Sequence, residues 1–347
     1  MTLRQLMKRI FLVILVVLLG IVVIYWDQIT YSVGQAKGQF HVLWNARPVS
    51  EYLNDPTLPD SIKRKLILVR KIKDFAVNDL GLKPTESYKK MYDQEGKEVL
   101  WVVSACKPYS FEPMTWTFPI IGSFTYKGFF NQEKATGLAK ELSDLGMDIE
   151  MRSVNGWSTL GWFNDPILSN MLEESDGGLA ETIIHEITHG TIFIPDSMTF
   201  NENLATFIGV EGAKQFLRKV ERDSVKYQSY IHWKEDSRKF STHLVRGAHG
   251  LDSLYKLMIN EPKEIKEKKK KTFIQGIAAS LDTLQFHDPR YKAIFSKKMP
   301  NNAYFISFLN YRERQTSFNN ILNNKFHNDL YAFIAYWKEA RHSSSSK

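Results

Sequence analysis

Leu179-Ala180-Glu181-Thr182-Ile183-Ile184-His185-Glu186-Ile187-Thr188-His189-Gly190 carries its apolar residues at helical spacing, with two histidines four positions apart. On an α-helix that spacing puts both imidazoles on one face, one turn from each other, where both can reach a single ion. Glu186 projects beside them. In a His-Glu-x-x-His helix the histidines hold zinc, which polarises a carbonyl. The glutamate takes a proton from the attacking water and passes it to the leaving amine. The expectation is one Zn2+ ion on His185 and His189, with Glu186 as catalytic base. Two histidines can also fall four apart on an ordinary helix, so the pattern needs a third ligand.

Cys106 is the only cysteine, which excludes both an intramolecular disulfide framework and a thiolate cluster and leaves His, Asp and Glu as ligands. The longer zinc pattern that continues with glycine and histidine is excluded by Ile192 and Pro195. Downstream, Pro195-Asp196 makes a turn and Asn201-Glu202 opens a second helix, which resembles the gluzincin arrangement of a helix-borne glutamate after the paired histidines. Thr206 stands where an aspartate usually supports a histidine ligand in that arrangement. Glu202 is therefore the expected third ligand. Thr199-Phe200-Asn201-Glu202 also matches a capping box, in which the glutamate only closes a helix N-terminus, and Asp196 is a nearer alternative ligand.

Upstream of the metal motif the pattern changes. Residues 36–82 have helical spacing punctuated by Pro56 and Pro59, with Pro84 just beyond. Val99-Leu100-Trp101-Val102-Val103 reads as a buried strand, 118–126 as an apolar run broken at Gly122, 132–145 as a helix and 148–153 as an alternating strand. After Asn170 nearly everything reads as helix. The fold class expected is α+β: a mostly helical, zincin-like domain with a small mixed sheet before the histidine helix. With 43% hydrophobic and 13% aromatic residues, the 347-residue chain can bury a full core.

The run 10–26 has no charge and, at about 1.5 Å per residue, reaches roughly 25 Å, enough for a bilayer core with snorkelling flanks. Arg4, Lys8 and Arg9 precede it and Asp27 follows, so the positive-inside rule puts the N-terminus in the cytoplasm and the rest outside. A cleaved signal peptide would be cut near Gly34-Gln35-Ala36, about ten residues beyond the run, so a retained anchor is the preferred reading. The organisation expected is a cytoplasmic N-terminus at 1–9, an anchor at 10–26, a helical region at 27–95, a catalytic region at 96–342 and a disordered tail at 343–347. A formal charge of +8 is modest for this length, and the lysines of 263–271 alternate with Glu264 and Glu267 as on a solvated helix face. No nucleic-acid partner is expected, and the oligomeric state stays open.

Several separated segments together resemble the bacterial family of predicted aminopeptidases. They are Ser158-Thr159-Leu160-Gly161-Trp162-Phe163 with Asp165-Pro166, the helix from His185 to His189, and Phe200-Asn201-Glu202-Asn203-Leu204-Ala205-Thr206. The likeness runs from about Gln35 to Tyr311, including Asn301-Asn302-Ala303-Tyr304. It implies a peptide substrate, aminopeptidase action and a bacterial protein; together with the apolar run 10–26 and the charges around it, the location expected is the bacterial inner membrane, single-pass, with the catalytic part on the periplasmic or extracellular side. Many members resemble lipoproteins at the N-terminus; this chain has no cysteine there. It also lacks the Gly-x-Met-Glu-Asn segment that binds the free amine in well-studied zinc aminopeptidases, so exopeptidase action rests on the resemblance.

Gly156-Trp157-Ser158-Thr159-Leu160-Gly161 has the wrong spacing for a serine nucleophile elbow. Ser158, Thr159 and Gly161 read instead as an edge strand that pairs with extended substrate, or as a core strand. Tyr311 is the expected oxyanion donor, with His232 and His249 as alternatives. The reading from another class is a membrane-tethered peptide- or protein-binding module that keeps the fold without turnover; the intact Glu186 favours catalysis.

Overall fold

The computed structural model describes residues 3–118, 122–154, 164–194, 197–309 and 313–344. They form a mostly helical α+β protein with three small sheets. The single short mixed sheet expected from the sequence is divided among them, because each strand is only two to six residues long and pairs with whichever neighbour its helices bring alongside.

The chain opens with α1 (Leu3–Ile24), long and apolar enough to cross a membrane, and no part of its apolar window is buried against the protein. Tyr25 interrupts the helix, so the apolar element ends two residues before the expected 26, and Trp26 begins α2 (Trp26–Asn45). Two further helices follow, α3 (Val49–Asn54) and α4 (Asp60–Asn78). Leu66, Val69, Ile72, Phe75 and Ala76 form the buried stripe of α4, as helical spacing requires.

Strands β1 (Arg47–Pro48), β2 (Lys90–Tyr92) and β8 (Ile167–Leu168) make the one mixed sheet, with β2 central, antiparallel to β1 and parallel to β8. A second, antiparallel sheet has β3 (Trp101–Cys106) between β6 (Lys127–Phe129) and β7 (Asp148–Ser153). The hairpin β4 (Trp116–Phe118) and β5 (Gly122–Phe124) forms the third. Helix α5 (Gln132–Asp144), capped by the Asn131 side chain, packs Ala135 and Leu142 onto Val103 and Phe129.

The main core gathers α4, α6 (Asp176–Thr191) and α7 (Met198–Phe216) with α11 (Glu313–Phe326) and α12 (Leu330–Ser344), and it includes Met91 of β2 and Ile167 and Leu168 of β8. A separate cluster lies between the long α8 (Ser224–Leu257), α9 (Lys263–Ala279) and α10 (Asn302–Leu309), around Leu244, Leu251 and Phe305. The charged face of α9 pairs Lys263 with Glu267 and Lys269 with Glu261, while Lys270 reaches Asp148 at 2.5 Å. Helix α12 runs to Ser344, so it takes up the start of the tail expected at 343–347; residues 345–347 lie outside those described.

Candidate metal centre

Ser175 caps α6 by accepting a bond from the Gly178 amide at 3.1 Å, and Asp176 in the first turn pairs with Lys65 and Lys226. Ile183, Ile184 and Ile187 bury the core side of the helix, which leaves His185 and His189 together on the side facing α7. The approach of α7 is set by its glycines. A β-carbon at Gly209 would meet the Glu181 carbonyl at 2.9 Å, a backbone atom that cannot give way, and one at Gly212 would press on the end of the Ile184 side chain at 3.0 Å, so the close approach requires glycine at 209.

The loop between them is tied by Asn201, which is buried; its side chain accepts from Ile194 N–H at 2.9 Å and donates to the Ile194 carbonyl at 2.8 Å. That clamp puts the next residue, Glu202, beside the end of α6. Helix α7 begins at Met198 with Ser197 at its N-cap and no side-chain capping bond, so Thr199 lies inside the helix and no Thr199–Glu202 capping box forms.

The Nε2 atoms of His185 and His189 are 3.0 Å apart. The Glu202 carboxylate stands 3.6 Å from the first and 3.4 Å from the second. Among the described residues this is the one group of three or more His, Cys, Asp or Glu side chains whose ligand atoms converge as a metal requires. Ligands at about 2.0–2.2 Å in a tetrahedron are separated from one another by roughly 3.3–3.6 Å, so the two edges to Glu202 match a zinc-sized ion and the His185–His189 edge, at 3.0 Å, is a few tenths of an ångström shorter. Two imidazoles and a carboxylate are also the donor set of a catalytic zinc site with one position left open.

Burial on its own would raise the Glu202 carboxyl, but hydrogen bonds and charge from His185 and His189 outweigh it and hold the group far below the usual carboxylate range. Burial on its own would lower the His185 imidazole; Glu202, with the charges of Glu186 and Glu181, outweighs that and raises it. Thr206 Oγ1 lies 3.5 Å from His185 Nδ1, a long contact at the place of the missing aspartate. One turn before His185, Glu181 is held by Tyr230 at 2.6 Å and Lys234 at 2.8 Å.

Glu186 faces a small cavity that it shares with Tyr88, Asp165, Pro166 and Thr182. Asp165 stands in a segment the sequence had marked, whereas nothing in the local sequence singles out Tyr88, which arrives from the turn before β2. Ser158, Thr159 and Gly161, Tyr311 and the alternative ligand Asp196 lie outside the described residues. Of the other oxyanion candidates, His232 stacks on His287 with centroids 4.0 Å apart, and His249 is exposed on α8.

A family model described as "Putative aminopeptidase" matches residues 30–347. The chain belongs to that family. The match begins inside α2, at residue 30, runs to residue 347 and leaves out the apolar α1. Membership supports peptidase activity for the part that carries the His185–His189–Glu202 group. No curated protein and no solved structure matches the chain.

Proposed function

We propose that this member of the aminopeptidase family is a zinc peptidase anchored by α1, with its catalytic part outside the membrane. The observation that carries the reading is the triangle of donors at 3.0, 3.4 and 3.6 Å on α6 and α7, with Glu186 next to it in sequence. His185, His189 and Glu202 would hold the ion, which supplies a Lewis acid for the scissile carbonyl and makes water nucleophilic near neutral pH. Glu186 takes one proton from the attacking water on its carboxylate and returns it to the leaving nitrogen as the C–N bond breaks.

Aminopeptidase rather than internal cleavage follows the family, and the outward orientation follows Arg4, Lys8 and Arg9 ahead of α1. Tyr311 as oxyanion donor and Ser158, Thr159 and Gly161 as the strand that pairs with peptide complete the proposal. In support of the first, Gln315, four residues after Tyr311, donates to the Asn203 carbonyl at 2.9 Å, beside Glu202.

The test is metal content together with hydrolysis of a mixed peptide library, with the cleaved ends identified, for wild type, Glu186→Gln and Glu202→Ala. Glu186→Gln should keep its zinc and lose at least about a hundredfold in rate, because the base is gone and the ligands remain. Glu202→Ala should lose zinc while staying folded. Activity near wild type in Glu186→Gln would sink the mechanism. Stoichiometric zinc with no hydrolysis in the wild type would favour a binding module instead.

A further inference from the structure

Tyr88 has a backbone φ of +64°, a region that a bulky side chain rarely enters. The conformation is fixed from both sides. Tyr88 N–H donates to the Asp165 carbonyl at 2.7 Å, Asp165 N–H donates to Ser87 Oγ at 3.0 Å, and Lys73 donates to the Ser87 carbonyl. Glycine would adopt this φ freely. What tyrosine adds is a ring and a hydroxyl, and both are buried: the residue is 7% exposed. Strain of this kind persists only where the surroundings over-determine it, and it clusters at functional sites.

The groups around the cavity limit what the hydroxyl can do. The cavity is about 10 Å³, the space of roughly one water. Its polar side chains are Tyr88, Asp165, Thr182 and Glu186, and the Thr182 hydroxyl donates to Glu174 at 3.1 Å. Burial, with the charges of Glu186 and Asp165, raises the Tyr88 phenol well above its ordinary value, so it stays protonated and can donate. Glu186 lines the same cavity, and its Oε2 is buried and has no hydrogen-bond partner among the described residues. A buried carboxylate oxygen left without a donor is costly, and an unheld one lets the base turn.

We propose that Tyr88 is a positioning residue for Glu186: its hydroxyl, across a cavity sized for one water, supplies the donor that fixes Oε2 and so aims the other carboxylate oxygen at the reaction. The inference rests on reading Glu186 as the base. It adds a residue from the turn before β2 to a site otherwise built from α6 and α7. The strained turn, through its bonds to Asp165, is what keeps Tyr88 at the cavity.

Tyr88→Phe keeps the ring and removes the hydroxyl. In the zinc-loaded protein, with a peptide that the wild type cleaves, kcat should fall about 10- to 100-fold while KM stays within about twofold and zinc stays stoichiometric, because binding and ligands are untouched. A part in packing alone would lower thermal stability and leave kcat of the folded protein unchanged; that result, with Glu186→Gln inactive, would overturn the proposal and leave the peptidase reading standing. An active Glu186→Gln would overturn the reading first. Crystal structures of the zinc-loaded wild type and Tyr88→Phe decide the matter without turnover. In the wild type, Glu186 Oε2 should bond to a water held by the Tyr88 hydroxyl, and in the variant the carboxylate should take more than one position. An unmoved Glu186, or an Oε2 bonded to some other donor in the wild type, would refute it.

Discussion

Asp176 opens α6 between two lysines, with Lys65 at 2.7 Å and Lys226 at 2.8 Å, while Ser175 caps the same turn. Burial on its own would raise its carboxyl, but hydrogen bonds and charge from Lys226 and Lys65 outweigh it and hold the group below the usual range. The folded carboxyl therefore protonates at lower pH than the unfolded one, and between the two values the unfolded chain binds more protons. This contribution to stability is complete above the ordinary aspartate value of about 3.9 and is lost as pH falls through the folded value. Lys226 is 43% exposed, so solvent screens its share. Asp176→Asn should cost about 1–2 kcal/mol at pH 7, from two screened ion pairs and a charge at a helix N-terminus. The gap to wild type should narrow below about pH 4. Denaturant unfolding of the metal-free proteins at pH 7 and pH 3.5 measures both, and an equal gap at the two values would remove the electrostatic account.

Helices α6 and α7 pack closely beside the candidate metal donors. Gly209 sits against Glu181, which is clamped by Tyr230 and Lys234 and precedes His185 by one turn. A methyl group at 209 would lie 2.9 Å from the Glu181 carbonyl and 3.2 Å from His185 Cβ. The carbonyl belongs to a helix and cannot swing aside, so α7 must move and carry Glu202 with it. Gly209→Ala should lose about 1–3 kcal/mol of stability and bind zinc more weakly. Gly190→Ala, with nothing within 4 Å of the added carbon, is the control that should do neither. Thermal unfolding and zinc titration against a coloured chelator read the two effects. Wild-type affinity in Gly209→Ala would mean that the helix approach does not set the donor spacing.

At the scale of the molecule, the parts divide by what they pack against. The main core supports α6 and α7, α8 to α10 enclose a second cluster, and β3, β6, β7 and α5 a third, while α1 packs on none of them. A helix of that length with exposed Ile10, Phe11, Val13 and Val17 has its apolar surface covered only in a bilayer or an equivalent environment. The proposed orientation, with Arg4, Lys8 and Arg9 on the cytoplasmic side, predicts that protease added to intact spheroplasts digests the large C-terminal part. Protection until lysis would reverse the topology, and a mature N-terminus near Lys37 would establish cleavage.

Features that depend on neighbours in the chain were legible before any fold was known. The histidine helix announces itself by a spacing of four. Alternation marks β7 at its observed bounds, 148–153, and helical period marks α5 to within a residue at its end. These are local because helix and strand periods place side chains on faces without reference to the rest of the protein. The division into three sheets was not legible, since strands as short as Arg47–Pro48 or Ile167–Leu168 are defined by their partners and carry too few residues to show a period. Thr199 to Glu202 has the composition of a capping box, yet Asn201 bonds back to Ile194 and α7 starts at Met198, which turns Glu202 toward the histidines. Tyr88 reaches the Glu186 cavity from the turn before β2, which is tied to Asp165. Local period can nominate a pair of histidines; bringing the Glu202 carboxylate and a distant hydroxyl to them takes close helix contact and a strained turn, which exist only once the cores have packed.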